Sequence, residues 1–308
     1  MKIAITGSSG LIGAAFADAV RRDGDEVIRL VRRAPTAADE IRWDPAAPRG
    51  VDPTALAGLD AVLNLAGAPI AASRWTPARK AELRASRIQA TASLVAALTA
   101  ADRPPATLLS GSAIGWYSDT GGREVDESAP AGSGFLADLV KDWEAAAEPA
   151  RAAGIRVVTL RTGIVLARQG GMLARLAPMF RLGLGARIGP GTQYLSWIAL
   201  TDHIRALRYL LGNPAIEGPV NLTAPNPVTN NDFTAALAKA LGRPALLRAP
   251  APVLRAALGE LATDLLASAR VVPRALVTAG FTFEHGHIAS ALAAELRPDG
   301  HPDSRPAA

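Results

Sequence analysis

Seven residues close to the start of the chain, Gly7-Ser8-Ser9-Gly10-Leu11-Ile12-Gly13, constrain its fold more than any other stretch. The run Lys2-Ile3-Ala4-Ile5-Thr6 ahead of them reads as a short buried strand. Leu11 to Arg22 follows with Phe16, Ala19 and Val20 on one helical face, and Glu26 to Val31 reads as a second strand. A strand, a tight turn, a helix and a strand within roughly 30 residues are the setting in which glycines at this spacing bind a dinucleotide. Gly7 permits the sharp turn, Gly10 lets the backbone approach a pyrophosphate, and Gly13 lets the helix pack on the strand. From Ser9 through Gly10, Leu11, Ile12 and Gly13 the backbone enters the helix, whose free N–H groups and partial positive charge suit phosphate.

The end of the second strand selects the nucleotide. An Asp or Glu there would accept hydrogen bonds from a free ribose 2′-hydroxyl, whereas this chain carries Arg32 and Arg33, which suit a 2′-phosphate. NADP (or NADPH) is therefore the expected cofactor. The alternative is that the two arginines only solvate a loop.

With 308 residues the chain can hold two modest domains, or one domain with a substantial cap. It has no cysteine, which excludes disulfides, thiolate catalysis and zinc ribbons. A net charge of +5 raises the question of nucleic acid, but only four of the 33 basic residues are lysines and the arginines form no run. No nucleic-acid partner is expected. Met1 leads straight into the first strand and no uncharged apolar run could span a bilayer, so the chain reads as cytoplasmic with no membrane partner. His285-Gly286-His287 lacks metal-ligand spacing and reads as a surface turn, so no metal is expected.

Strands and helices alternate from residue 1 to about 165, the pattern of an α/β fold with a doubly wound parallel sheet. Pro35 to Gly58 reads mostly as loop, with Trp43 either near an adenine or a local apolar anchor. The strand Leu59 to Leu65 ends in Asn64-Leu65-Ala66-Gly67, small residues that leave room for a ligand. A helical region runs from Trp75 to Leu98, and its Arg87 either faces the cofactor or is solvated. Thr107 to Ser110 is a strand followed by Gly111-Ser112, a serine-rich strand end and a plausible catalytic position. A polar loop, 118–134, and a helix over 135–153 come next. Beyond 165 the pattern changes, and no acidic residue occurs from Pro149 through Thr201. If Arg175, Arg181 and Arg187 line the crevice they favour an anionic substrate; otherwise they are the outer face of an amphipathic helix. These breaks suggest a dinucleotide domain over 1–165, a cap region over 166–297 with part of 194–225 packing back on the first domain, and a flexible tail over 298–308.

These motifs, in this order, resemble the extended short-chain dehydrogenase/reductase superfamily, nearest to its atypical epimerase-family (nucleoside-diphosphate-sugar-epimerase-like) branch. The resemblance covers almost the whole chain. It rests on Thr6 to Gly13, Asn64-Leu65-Ala66-Gly67, Ser86-Arg87, Ser110 to Tyr117, Asp142-Trp143-Glu144, Gln193 to Ile198, Gly218 to Thr223 and Ala279 to Phe283. It implies a Rossmann-type sheet with a smaller C-terminal α/β substrate cap, NADP at the glycine turn contacted also by Asn64, Ala66, Gly67 and Arg87, and a small-molecule substrate; a homodimer is compatible with it. The superfamily's chemistry uses a Ser and a Tyr-x-x-x-Lys helix. Ser112 falls where that serine belongs, but the helix from Phe135 contains no tyrosine, and Ala137 stands four residues before Lys141. Tyr117 is the nearest phenol, either a substitute acid/base or a structural residue beside Trp116, and Lys141 is a candidate ribose contact. Two functions follow: an NADP-dependent oxidoreductase or epimerase-like enzyme acting on a small hydroxyl or carbonyl substrate, or a redox sensor that holds NADP without turnover.

Overall fold

The computed structural model of the chain describes residues 1–297; the tail expected at 298–308 lies outside them. The central sheet is built from β1 (Lys2–Thr6), β2 (Glu26–Val31), β3 (Glu40–Arg42), β4 (Ala61–Asn64), β5 (Thr107–Ala113), β6 (Arg156–Thr162) and β7 (Gly218–Leu222). These seven strands lie in the order β7-β6-β5-β4-β1-β2-β3, every neighbouring pair parallel. The chain runs outward from β1 to one edge, then returns to β4 and runs to the other. The reversal between β1 and β4 is the point where such sheets bind ligands, beyond the carboxyl ends of the strands.

The helices that position the site are α1 (Leu11–Arg22), α2 (Pro77–Arg84), α3 (Ala90–Thr99), α4 (Phe135–Ala145), α5 (Gly171–Arg181), α6 (Leu200–Gly212) and α7 (Asn230–Leu241). The strands are continuous apolar runs because both faces of the sheet are covered. On one face Ile3, Ile5, Leu63 and Leu160 pack with Phe16 of α1 and Leu207 and Leu210 of α6. On the other, Ala4, Val62, Leu108 and Val157 pack with Leu94 and Leu98 of α3. Residues after 165 also build the sheet: β7 is its edge strand, and Trp197–Ala199 pairs in parallel with Ile164–Ala167 just beyond β6. A third apolar cluster, with Leu173, Phe180, Phe233, Leu237 and Leu292, is built from residues after 165.

Three elements differ from the sequence reading. The helical region after Trp75 is interrupted by a π turn at Ala85–Gln89, which turns Arg87 inward where it is buried; such turns re-aim side chains at functional sites. The helix expected over 135–153 ends at Ala145, and a short helix, Glu148–Ala152, restarts with Pro149 in its first turn, where the missing N–H is harmless. Between Pro35 and Gly58 the chain forms β3, because Trp43 is 2% exposed and anchors the segment beside Val51 and Leu56.

Candidate active site

The glycine turn has the shape its residues require. Gly7 sits at φ +67°, in the left-handed region, and its carbonyl oxygen accepts the Gly10 N–H at 2.9 Å. A Cβ on Gly13 would stand 2.3 Å from that same oxygen, so a side chain there would push α1 off the turn. A Cβ on Gly10 would meet only that oxygen, at 3.2 Å. Gly10 caps α1 without a side-chain hydrogen bond, which leaves the first N–H groups to an anion. Ser9 and Gly10 are exposed, and Leu11 and Ile12 are half-buried.

Across the switch point, Thr6 ties β1 to β4. Its hydroxyl donates to Asn64 Oδ1 at 2.7 Å and accepts the N–H groups of Leu65 and Ala66 at 3.0 and 3.1 Å. Asn64 in turn donates to Thr91 Oγ1, which also accepts from the indole of Trp143. Gly111 makes this possible: a Cβ there would lie 2.8 Å from the Trp143 ring. Asn64 is thus a buried strut, and Ala66 and Gly67 follow it as the open end of β4. Gly67 faces the Arg87 guanidinium, whose carbon would be 3.1 Å from a Cβ. Arg87 donates to the carbonyl oxygens of Ala68 and Leu83 and lies 5.2 Å over Trp143, with no carboxylate paired to it among the described residues. Burial lowers its pKa to about 10, helped by the charge of Arg79. A buried cation beside this crevice, held by two carbonyl groups and the Ser86 hydroxyl, suits an anionic ligand.

The second half of the site was only partly visible in the sequence. Ser112, Arg161 and Asn221 occupy one row across β5, β6 and β7, since Ser112 and Asn221 are both register partners of Arg161. Ser112 Oγ donates to Glu144 Oε1 at 2.5 Å. Arg161 grips the same carboxylate as a fork, Nε to Oε1 at 2.9 Å and Nη2 to Oε2 at 3.0 Å. It also stacks 3.9 Å over the Trp116 ring. Arg161 Nη1 donates to the Tyr117 hydroxyl at 3.1 Å, and that hydroxyl donates to Asn221 Oδ1 at 2.8 Å. Burial raises the Tyr117 pKa against the pull of Arg161. Both hydrogen-bonding capacities of the phenol are therefore occupied, a placement that does not support Tyr117 as a free acid/base. Glu144, Arg161 and Asn221 had no assigned role in the sequence reading. An arginine near the end of the apolar strand Val157-Val158-Thr159-Leu160-Arg161 was the available signal, because a buried charge in such a strand persists only when paired.

Other expected residues lie apart from this network. Lys141 is half-exposed on α4 and ion-paired with Asp138 of the same helix at 2.6 Å. The α4 residues four apart at Phe135 and Leu139 belong instead to an apolar cluster with Trp75, Leu83 and Leu261. Arg175 is exposed and donates to the carbonyl oxygen of Ala71, and Arg181 is exposed at the end of α5. Arg187 is half-buried, donates to Asn231 Oδ1 at 3.2 Å, and keeps a buried Nε with no partner. In the polar loop, Asp126 is bonded to Ser128 and Arg274 and Glu124 is paired with Arg270. At the end of β2, Arg33 forks onto Glu40 at 2.6 and 2.8 Å, while Arg32 is exposed and makes no ion pair among the described residues. No helix among the described residues is long and apolar enough to cross a membrane.

Residues 3–222 match the family model of the NAD dependent epimerase/dehydratase family, and residues 249–295 match a domain of unknown function, DUF1731. The chain is 50% identical over 298 residues to epimerase family protein MT2273 of Mycobacterium tuberculosis, covering 96% of this chain and 98% of that protein. It is 34% identical to the chloroplastic SDR39U1 homolog of Arabidopsis thaliana, covering 96% of this chain and 87% of the other. Among solved structures, human epimerase family protein SDR39U1 (isoform2) with NADPH superposes with a TM-score of 0.87 at 32% identity, over 96% of this chain and 99% of that one.

Proposed function

The chain belongs to the NAD dependent epimerase/dehydratase family, and from that membership we propose that it is an NADP-dependent oxidoreductase acting on the hydroxyl group of a small molecule. The cofactor fits the residues present. The glycine turn and the uncapped start of α1 would hold the pyrophosphate, the unpaired Arg32 the 2′-phosphate, and the crevice beside Gly67 and Arg87 the rest of the dinucleotide. The solved human relative carries NADPH. When bound, NADP supplies or takes up hydride.

The observation that carries the hydroxyl assignment is the 2.5 Å bond from Ser112 to Glu144. The serine proton is directed at the carboxylate, so its oxygen offers lone pairs to whatever comes next. A substrate hydroxyl can donate there, and a carbonyl cannot. As hydride leaves the substrate carbon, the hydroxyl proton passes to Ser112 while the serine proton passes to Glu144. Arg161 holds that carboxylate in place through its two-point fork. The reverse order returns both protons and reduces the carbonyl. Tyr117 and Asn221 position Arg161 and take no part in proton transfer. Residues 166–297 supply the substrate side of the site. The second reading, an NADP-binding sensor without turnover, is favoured by one feature: α4 has the apolar pair Phe135 and Leu139 and no tyrosine.

Calorimetric titration with NADPH, NADP, NADH and NAD tests the cofactor assignment. The phosphorylated pair should bind at least about tenfold more tightly, the worth of one charge-assisted phosphate contact. Equal affinities would remove the role given to Arg32, and no binding of any of the four would end the oxidoreductase reading. A screen of alcohols with NADP, read by absorbance of NADPH, then separates enzyme from sensor.

A further inference from the structure

We propose that the cap carries a subsite for a compact apolar group bearing one hydrogen-bond donor, the donor meeting Asp264. This deepens the oxidoreductase reading by naming the class of substrate, and it rests on that reading only for what happens at Ser112. Helices α5 and α7, the strand Ala186–Ile188 and the short helix Leu261–Leu266 line a cavity of about 100 Å³. Its wall is mostly hydrocarbon, with Ile164, Leu176, Phe180, Leu195 and Phe233 among the residues facing it. The polar exceptions are Asn230, Thr234 and Asp264. The cavity begins next to the catalytic row: Ile164 lies two residues past Thr162, the register partner of Ala113 on β5.

Two features distinguish this space from a packing void. A void inside a core is lined by apolar atoms alone, whereas Asp264 Oδ2 is removed from water here and has no hydrogen-bond partner. Burial, with the nearby charge of Glu260, raises that carboxyl to about 6. An unsatisfied carboxyl oxygen in an apolar wall costs free energy that a ligand N–H or O–H would recover. The wall also contains no arginine or lysine. Arg175, on the same helix as Leu176, turns instead to the Ala71 carbonyl. A diphosphate finds no cation in this wall and would not fit the space. An apolar cavity of about 150 Å³ accepts benzene, so one of about 100 Å³ takes a branched group of roughly four heavy atoms.

The test is an NMR titration of the NADPH-saturated protein, labelled at its Ile and Leu methyl groups, with three probes on one isopropyl frame: 2-propylamine, 2-propanol and 2-methylpropanoate. The amine and the alcohol should shift the methyls of Ile164, Leu176, Ile188 and Leu195 while leaving the core methyls of Leu94 and Leu98 unmoved. The carboxylate should shift neither set. Asp264→Asn should weaken the amine about tenfold and spare the alcohol. Leu176→Trp should fill the cavity and abolish both responses, and Thr234→Leu should do the same from the opposite wall if the tryptophan variant fails to fold. Shifts scattered over the surface, no shifts at all, or tighter binding of the carboxylate would overturn the proposal. The NADPH affinity, measured in the same samples, reports on the dinucleotide site separately, so failure of one assignment is distinguishable from failure of the other.

Discussion

Ser112 and Arg161 stand opposite each other on neighbouring parallel strands, and both bond the same oxygen of Glu144, at 2.5 and 2.9 Å. The pairing joins three elements that are far apart in sequence: the end of β5, the end of β6 and the last turn of α4. It also makes the carboxylate dependent on the arginine. With side-chain exposures of 3% and 12%, neither charge has water enough to stand alone.

Removing one partner should therefore cost more than removing both. Arg161→Met leaves Glu144 buried and unpaired and should destabilise the fold by about 3–5 kcal/mol in urea unfolding. Adding Glu144→Leu to it should restore much of that loss. A double variant as unstable as the sum of the single ones would show that the pair is not coupled.

Tyr117→Phe separates positioning from proton transfer. The phenol links Arg161 to Asn221, so its loss should cost about 1–3 kcal/mol of stability and leave the NADPH affinity within about twofold, since the change lies away from the phosphate contacts. In any alcohol oxidation found by the screen, Glu144→Gln should reduce kcat by about 100-fold or more, and Tyr117→Phe much less. The opposite order would return the acid/base role to Tyr117.

Arg32 and Arg33 are neighbours with different tasks. Arg33 is held by Glu40, whose own pKa falls to about 2 through bonds from Arg33 and the Thr36 backbone. Arg32→Ala should lower NADPH affinity about tenfold and leave NADH affinity unchanged. Arg33→Ala should act mainly on the β2–β3 edge, seen as a lower Tm with a smaller change in cofactor preference. Calorimetry with both nucleotides distinguishes the two.

The glycines of the turn divide in the same way. Gly13→Ala forces a Cβ into the Gly7 carbonyl and should cost about 1–3 kcal/mol of stability. Gly10→Ala meets little protein. It should leave the unfolding midpoint nearly intact while weakening NADPH, because the added methyl occupies the path of the pyrophosphate.

His203 makes the fold sensitive to acid. It is fully buried beside Thr162, and burial lowers its pKa to about 3. The unfolded chain therefore binds the extra proton between about pH 6.5 and 3, so this contribution to stability is complete above 6.5 and is lost as pH falls. Asp264 and Glu295, raised to about 6 and about 7 by burial, act with the opposite sign, their contribution lost as pH rises. Comparison with His203→Gln isolates the histidine. The wild type should lose about 2 kcal/mol relative to the variant between pH 7.5 and 5. A difference independent of pH would mean that His203 titrates alike in the folded and the unfolded protein.

The dinucleotide half of the molecule was legible in the chain because its determinants are local. Gly7, Gly10 and Gly13 act on one turn and one helix, and the apolar runs of β1, β4 and β5 follow from burial on both faces, so spacing alone carries them. The row from Ser112 to Asn221 and the cavity beside Asp264 were not legible for the opposite reason. Ser112, Glu144, Arg161 and Asn221 meet only when β5, β6, β7 and α4 are brought into register, and nothing near Ser112 in sequence marks Glu144 as its partner. Lys141 and Tyr117 stood out by residue type, yet packing sent the first to a surface ion pair and gave the second's hydroxyl to Arg161 and Asn221. Local sequence determined that this chain would present a phosphate-binding turn at the switch of a parallel sheet. Only long-range packing, which decides which buried charge finds which partner, settled how the other side of the crevice is built.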